Sequence, residues 1–301
     1  MARWLISVPV WGERCVSIFC ATALPALEKA IMRLCEKDID VRLVVHTDSV
    51  RRICDGATEI EIEPRPVPAG ARDFDSLSQA HREVLSMACN DDRVALLTAD
   101  LLISEQGLEY CEEVFEDGTK RLITCCGIRA VQEGRLPATD DARRMLIWAW
   151  ENAHPMTVAS TYPDGLSADL SRMYFEKDGD IIARLALPHP LAVRIDGRSL
   201  PFSPTIDASL IQNFNPAEVH MVTSPDRLAL VELSPRDKAF QLSTETIRDR
   251  LLSGEFVLGD PAQRWMANHR VCLQGNPPPQ GQDERVFMEV LKPDENIDSW
   301  R

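Results

Sequence analysis

The 301 residues, 45 % apolar and 27 % charged, are enough to bury the core of one large α/β domain or two small ones. A formal net charge of −14 sets the chain as a whole against nucleic-acid backbones and anionic lipid surfaces, and no run approaches the roughly 18 uninterrupted apolar residues of a membrane span. Nine cysteines without CxxC spacing, with Cys125 and Cys126 adjacent in an apolar run, read as reduced, mostly buried thiols of a cytoplasmic protein rather than a disulfide framework or zinc site.

The opening MARWLISVPVWGER is interrupted by Glu13 and Arg14 and has no small-residue cleavage site after it, so it reads as a buried strand and not as a signal peptide. Trp4 to Val10 is that strand, feeding a loop at Trp11-Gly12. Arg14 to Leu34 is helical in pattern, with Pro25 either kinking it or opening a second helix. Val41 to His46 is a β-branched strand followed by Thr47-Asp48-Ser49 as a turn or cap, and Thr58 to Ile62 is a third strand. The proline-rich stretch PRPVPAG after it is expected to be irregular. A capping box at Ser76 to Gln79 opens a helix with Leu77, Ala80, Val84, Leu85 and Ala88 on one face. Val94 to Thr98 is a fully buried strand. Ser104 caps the next helix, Asp117-Gly118 turns, and Arg121 to Cys126 is a strand.

From about residue 138 the pattern changes. Thr139-Asp140-Asp141 opens a helix through Trp150. Short strands are expected at Met173 to Phe175, Ile181 to Leu187, Val219 to Thr223 and Leu228 to Leu233, and helices at Thr244 to Leu252 and Pro261 to Cys272. The polar tail from Gln274 reads as mobile, with Val286 to Leu291 able to dock. The fold class is α/β: a Rossmann-type, mixed but mostly parallel sheet flanked by helices, with a smaller region after it. The divisions are residues 1–137, 138–273 and the tail 274–301, the first two sharing one sheet.

In open parallel sheets ligands sit beyond the carboxyl ends of the strands. Three segments fall there: Pro9-Val10-Trp11 with Gly12, Glu13 and Arg14, then Thr47-Asp48, then Thr98-Ala99-Asp100. The runs SVPVWGER, VRLVVHTD, DSLSQAHREVL and VALLTADLLISEQGL, followed by HPMT, LPHPLAVR, SPTIDASLI and EVHMVTSPDRLALVELSP, resemble bacterial glycosyltransferase-like proteins of the GT-A type over roughly residues 3 to 236. The resemblance implies a hexosyltransferase-type enzyme using a nucleoside-diphosphate sugar, with base and ribose met by the first two loops. Its donor-side residues are Pro9, Val10, Trp11, Arg14, Thr47, Asp48, His81, Thr98, Ala99 and Asp100.

The resemblance also implies a divalent cation, Mn²⁺ or Mg²⁺, held by an Asp-x-Asp at the end of strand four. Asp100 matches one carboxylate; Ala99 precedes it and Leu101-Leu102 follow, so the partner is missing. His220 is the residue that matches a distant histidine ligand. Asp207 is the candidate base for the acceptor hydroxyl, and His154 and His189 are candidates to line the acceptor pocket. Each residue has a plain structural alternative. Asp48, Asp100 and Asp207 suit turns or helix caps, His81 and His220 suit a packed core, Trp11 suits simple burial, and Arg14 suits a surface ion pair. Two other functions compete: a GT-A-like scaffold that binds or assembles without chemistry, favoured by the missing carboxylate, and a sugar nucleotidylyltransferase, disfavoured because the loop after strand one holds only Gly12 and Arg14. The acceptor is not specified, and a nucleic acid remains open.

Overall fold

The computed structural model describes residues 3–57, 59–68, 73–132, 136–159, 172–177, 179–185, 188–202, 206–236 and 261–274. The predicted helix at Thr244 to Leu252 and the tail beyond Gln274 lie outside them.

Seven strands form the central sheet: β1 (Arg3–Val10), β2 (Asp40–Thr47), β3 (Ile62–Arg65), β4 (Arg93–Leu96), β6 (Leu122–Cys125), β10 (His189–Arg194) and β11 (Val219–Met221). Their order is β11-β6-β10-β4-β1-β2-β3, all parallel except β10, which runs antiparallel between β4 and β6. A mostly parallel sheet flanked by helices, with one reversed strand inside it, is consistent with a GT-A-like fold. Two three-stranded sheets accompany it. One joins β5 (Leu101–Ile103), β12 (Leu230–Ser234) and β7 (Gly127–Val131); the other joins β13 (Val271–Gln274), β9 (Asp180–Leu185) and β8 (Arg172–Lys177).

Both faces of the central sheet are covered, which is why its strands read as continuous apolar runs. On one face Trp4, Ile6, Val8, Leu43, Val45, Ala95 and Ile123 pack under a helical run from Glu13 to Cys35 and under α5 (Gly107–Glu116) and α6 (Ala142–Glu151). On the other, Leu5, Val44, Val94, Leu122 and Val193 meet α4 (Asp73–Met87), α8 (Ile206–Ser209) and α9 (Pro261–Ala267).

The run Glu13–Cys35 is long and apolar enough to cross a bilayer by length and composition, but it is here a core helix with Val16, Ile18, Phe19, Leu27, Ile31 and Leu34 buried. It comprises α1 (Glu13–Ile18), a π-helical turn (Phe19–Ala23) and α2 (Leu24–Cys35). Pro25 explains the wide turn. It has no N–H to donate and its ring presses on the carbonyl four residues back, so the helix opens just before it and then continues.

Several expectations are corrected. The third strand is β3, later than Thr58 to Ile62 and including Pro64; β3 is the edge of the sheet, where a missing N–H is tolerated. Helix α4 starts at Asp73, so Ser76 and Ser78 are buried inside it and Ser76 does not cap it. Ser104 donates to Arg227 O (2.8 Å) and accepts from Ala229 N–H (3.0 Å), tying a loop to the β12 side, while Gln106 precedes α5. The helix expected to reach Cys272 stops at Ala267, and β13 follows. Strands β5, β7 and β10 were not foreseen. By contrast the helix expected after Thr139-Asp140-Asp141 is present as α6, with Asp141 as its N-cap, accepting from Arg144 N–H at 3.0 Å.

Candidate functional site

Parallel pairing fixes where the loops leave the sheet. Val10 lies opposite Thr47, and Ser7 opposite Leu96, so the segments at Trp11, Asp48 and Thr98 to Asp100 emerge at one rim from three adjacent strands. Two strand spacings, about 10 Å, separate the outer two.

The first two loops are joined directly. Gly12, at φ +77°, donates its N–H to Asp48 Oδ2 at 3.3 Å. A side chain at that φ would be strained, so glycine suits the bend. Ser49 Oγ donates to Asp48 Oδ1 (2.9 Å) and Ser49 N–H to Thr47 Oγ1 (3.0 Å). Asp48 therefore staples a loop and does not cap α3 (Val50–Gly56), whose N-cap is Ser49. An open depression of about 640 Å³ lies beside it, lined by Asp48, Ser49 and α3 residues including Arg51 and Arg52.

Exposure sorts the donor-side candidates. Arg14 and Asp48 are exposed, and Trp11, Thr98 and Asp100 half-buried. Pro9, Val10, Thr47 and Ala99 have buried side chains, which leaves their backbone groups to meet a ligand. Thr98 Oγ1 donates to Asp100 Oδ1 at 2.8 Å, and the Asp100 carbonyl accepts from Leu233 N–H at 2.8 Å. His189 opens the reversed strand β10 and so reaches this same rim, where its Nε2–H donates to the Leu96 carbonyl at 2.7 Å. The Arg52 guanidinium, donating to Glu13 Oε1 at 2.6 Å, holds the Glu13 carboxyl below its usual value.

Other candidates sit elsewhere. His81 is fully buried, 2.9 Å from Ser7 Oγ through Nδ1, three residues down β1 from the rim. It belongs to the core, with the equally buried His46, whose Nε2 is 3.2 Å from Glu83 Oε2. His154 is also fully buried: Met156 N–H donates to Nδ1 (3.1 Å), so Nε2 carries the proton that meets Pro235 O at 3.0 Å. Both nitrogens are used within the fold. Asp207 lies in α8, but its side chain is outside the described residues.

His220 does not join Asp100. It lies on β11, separated from β4 by β6 and β10, about 14 Å across the sheet, and its Nε2 is 2.8 Å from Tyr110 Oη. Among the described residues no group of three or more His, Cys, Asp and Glu converges to hold a metal ion. At Asp100 the Oδ1 oxygen is already engaged by Thr98. The described residues do not fit the divalent site that the resemblance implies.

The role of β10 is what sequence reasoning missed. Leu191-Ala192-Val193 is apolar, but it follows Pro190, and a proline is not expected inside a central strand. The register shifts between Pro190 and Ala192, and that irregularity accommodates the proline.

No family model and no curated protein matches the chain. Among solved structures it is similar to TarS 1-349 of S. aureus at 13 % identity and a TM-score of 0.30, over 45 % of this chain and 37 % of that one. A second TarS chain gives 14 % and 0.30, with 23 % of its length covered, so the chain spans well under half of either. A mycobacterial protein gives 12 % identity and 0.36 over 98 % of this chain and 76 % of that one. TarS 1-349 in complex with UDP-GlcNAc gives 12 % and 0.33, over 97 % and 70 %. Likeness at this level carries no weight alone; strand order and direction carry the fold.

Proposed function

We propose that the chain is a glycosyltransferase that takes its sugar from a nucleoside-diphosphate donor laid across this rim. The observation that supports the reading best is the stapling of the β1 and β2 loops by Gly12 and Asp48, beside half-buried Trp11 and exposed Arg14, with Asp100 in the segment that follows the adjacent strand β4. Trp11 offers a face on which a base can stack. Asp48 and Asp100 are hydrogen-bond acceptors for ribose and sugar hydroxyls. In the reaction the bond from the sugar anomeric carbon to the phosphate oxygen breaks and a bond from that carbon to the acceptor oxygen forms. The acceptor's proton passes to a base, for which Asp207 is the candidate if configuration inverts.

The test is a thermal-shift screen with UDP, GDP, CDP and ADP. A nucleotide at about 100 times its Kd adds about 2.7 kcal/mol of stability, a rise of several degrees. No shift with any of the four would refute a donor site. A second reading, a scaffold that binds without transferring, is favoured by the missing second carboxylate of the Asp-x-Asp pattern, since Leu101-Leu102 follow Asp100. Nucleotide binding without turnover or hydrolysis of any nucleotide sugar would select it.

A further inference from the structure

We infer that the donor's diphosphate is held at this rim by the Arg14 guanidinium, without a divalent cation. The inference rests on the donor reading above and deepens it.

The first ground is that, among the described residues, no group of three or more His, Cys, Asp and Glu converges at Asp100, whose Oδ1 accepts from Thr98. Two phosphates still bring negative charge to a chain of formal charge −14, so a cation must come from the protein.

The second ground is a census of basic side chains. Among the described residues almost every arginine and lysine is committed to a carboxylate or a carbonyl. At the rim Arg52 is paired with Glu13, Arg51 with Asp55, and Arg65 with Glu63. Arg14 and Lys29 are the two basic side chains with no hydrogen-bond or ion-pair partner among the described residues. Lys29 lies fifteen residues farther along the same helical run, about 20 Å from Arg14, and so is far from the rim.

The third ground is direction. On one side of the helix, Glu13 and Ser17 both meet Arg52 of α3. Arg14, Ile18 and Thr22 form a separate stripe at intervals of four, and Thr22 Oγ1 donates back to Ile18 O at 2.6 Å. Thr22 shares a depression with Leu102 of β5, and the π-helical turn packs on that strand. Strand β5 begins at Leu101, the residue after Asp100. The Arg14 stripe therefore runs along the side of the helix that faces the Asp100 segment, away from α3. Arg14 is exposed and has no hydrogen-bond or ion-pair partner among the described residues, and its guanidinium carries five donors in a fork that matches the oxygens of adjacent phosphates.

The experiment is calorimetric titration of the full chain with UDP, GDP, CDP and ADP, each in EDTA and in Mn²⁺, with the matching nucleosides as phosphate-free probes. The expected result is one preferred diphosphate with the same affinity in both buffers, weakened tenfold or more in Arg14→Ala, with nucleoside binding unchanged and partial recovery in Arg14→Lys. Because Arg14 is exposed and has no partner among the described residues, the melting temperature of Arg14→Ala should match that of the parent chain. Binding that disappears in EDTA and returns with Mn²⁺ would overturn the inference and leave the donor reading standing. So would unchanged diphosphate affinity in Arg14→Ala. If neither diphosphates nor nucleosides bind in either buffer, the donor reading itself fails.

Discussion

Glu112, on α5, sits at the end of the sheet opposite the rim and holds two strands at once. Trp4 of β1 and Arg93 of β4 are paired across the sheet. The indole Nε1–H donates to Glu112 Oε2 at 2.8 Å, and Arg93 reaches both carboxylate oxygens at 3.0 Å through Nε and Nη2. Both side chains of the ion pair are only 8 % exposed, so this is a buried bidentate contact and not a solvated one. Glu112→Ala leaves a buried guanidinium uncompensated and a buried indole N–H orphaned. Breaking a buried pair in this way costs about 3–5 kcal/mol, a large share of the ~5–15 kcal/mol that a domain has. The exposed pair Arg143 with Asp226, at 54 % and 61 % exposure, supplies the control, where Asp226→Ala is expected to cost at most about 1 kcal/mol. Urea unfolding followed by circular dichroism measures both. The combined variant Arg93→Met with Glu112→Leu should recover most of the loss, because an apolar pair leaves no stranded charge. If Glu112→Ala costs no more than Asp226→Ala, the pair does not anchor the strands as argued.

Two further outcomes can be checked. Burial, helped by Lys120, lowers the pKa of His220, so the unfolded chain binds a proton near pH 6.5 while the folded chain does not. With more protons on the unfolded state, stability rises with pH across that window and falls as the pH drops below about 6.5. His269, lowered mainly by burial, acts in the same sense. Urea midpoints at intervals from pH 7.5 to 5 should flatten in His220→Gln; an unchanged acid slope in the His220→Gln, His269→Gln pair would refute the assignment. Burial also pushes the Cys126 thiol up to about 12 and raises Cys111 and Cys125 strongly. A thiol reagent on native protein, read by mass spectrometry, should modify the exposed Cys35, Cys54 and Cys89 and spare those three until urea is added. Reaction of Cys126 at the rate of Cys54 would contradict that burial.

The parallel front of the sheet was legible because each strand there is an apolar run ending in a polar loop. Trp4 to Val10 and Val94 to Leu96 carry their burial on their faces, and the three rim segments followed from direction alone. What stayed hidden depended on distant partners. Pro64 and Pro190 disguised two strands, because tolerance of a proline depends on whether its neighbour needs an N–H, and only the assembled sheet settles that. The partners of the histidines were hidden for a related reason. His81, His154 and His220 bond to Ser7, Pro235 and Tyr110, residues far away in sequence, and no local pattern distinguishes such a packed ring from one that faces a ligand. Asp48 and Asp100 were placed correctly at strand ends, while the staple to Gly12 and the Thr98 hydroxyl that engages Asp100 needed three dimensions.

The reversed strand has a consequence for how the polypeptide reaches its final form. Residues 189–194 are bonded on one flank to β4 and on the other to β6, filling a gap that the first 137 residues leave open. A nascent chain therefore carries two raw β-edges until some fifty more residues have been made, and an exposed edge invites pairing with other chains. Closure waits for a long-range contact of the slow kind, and the last strand to slot in between β4 and β6 also delivers His189 to the rim.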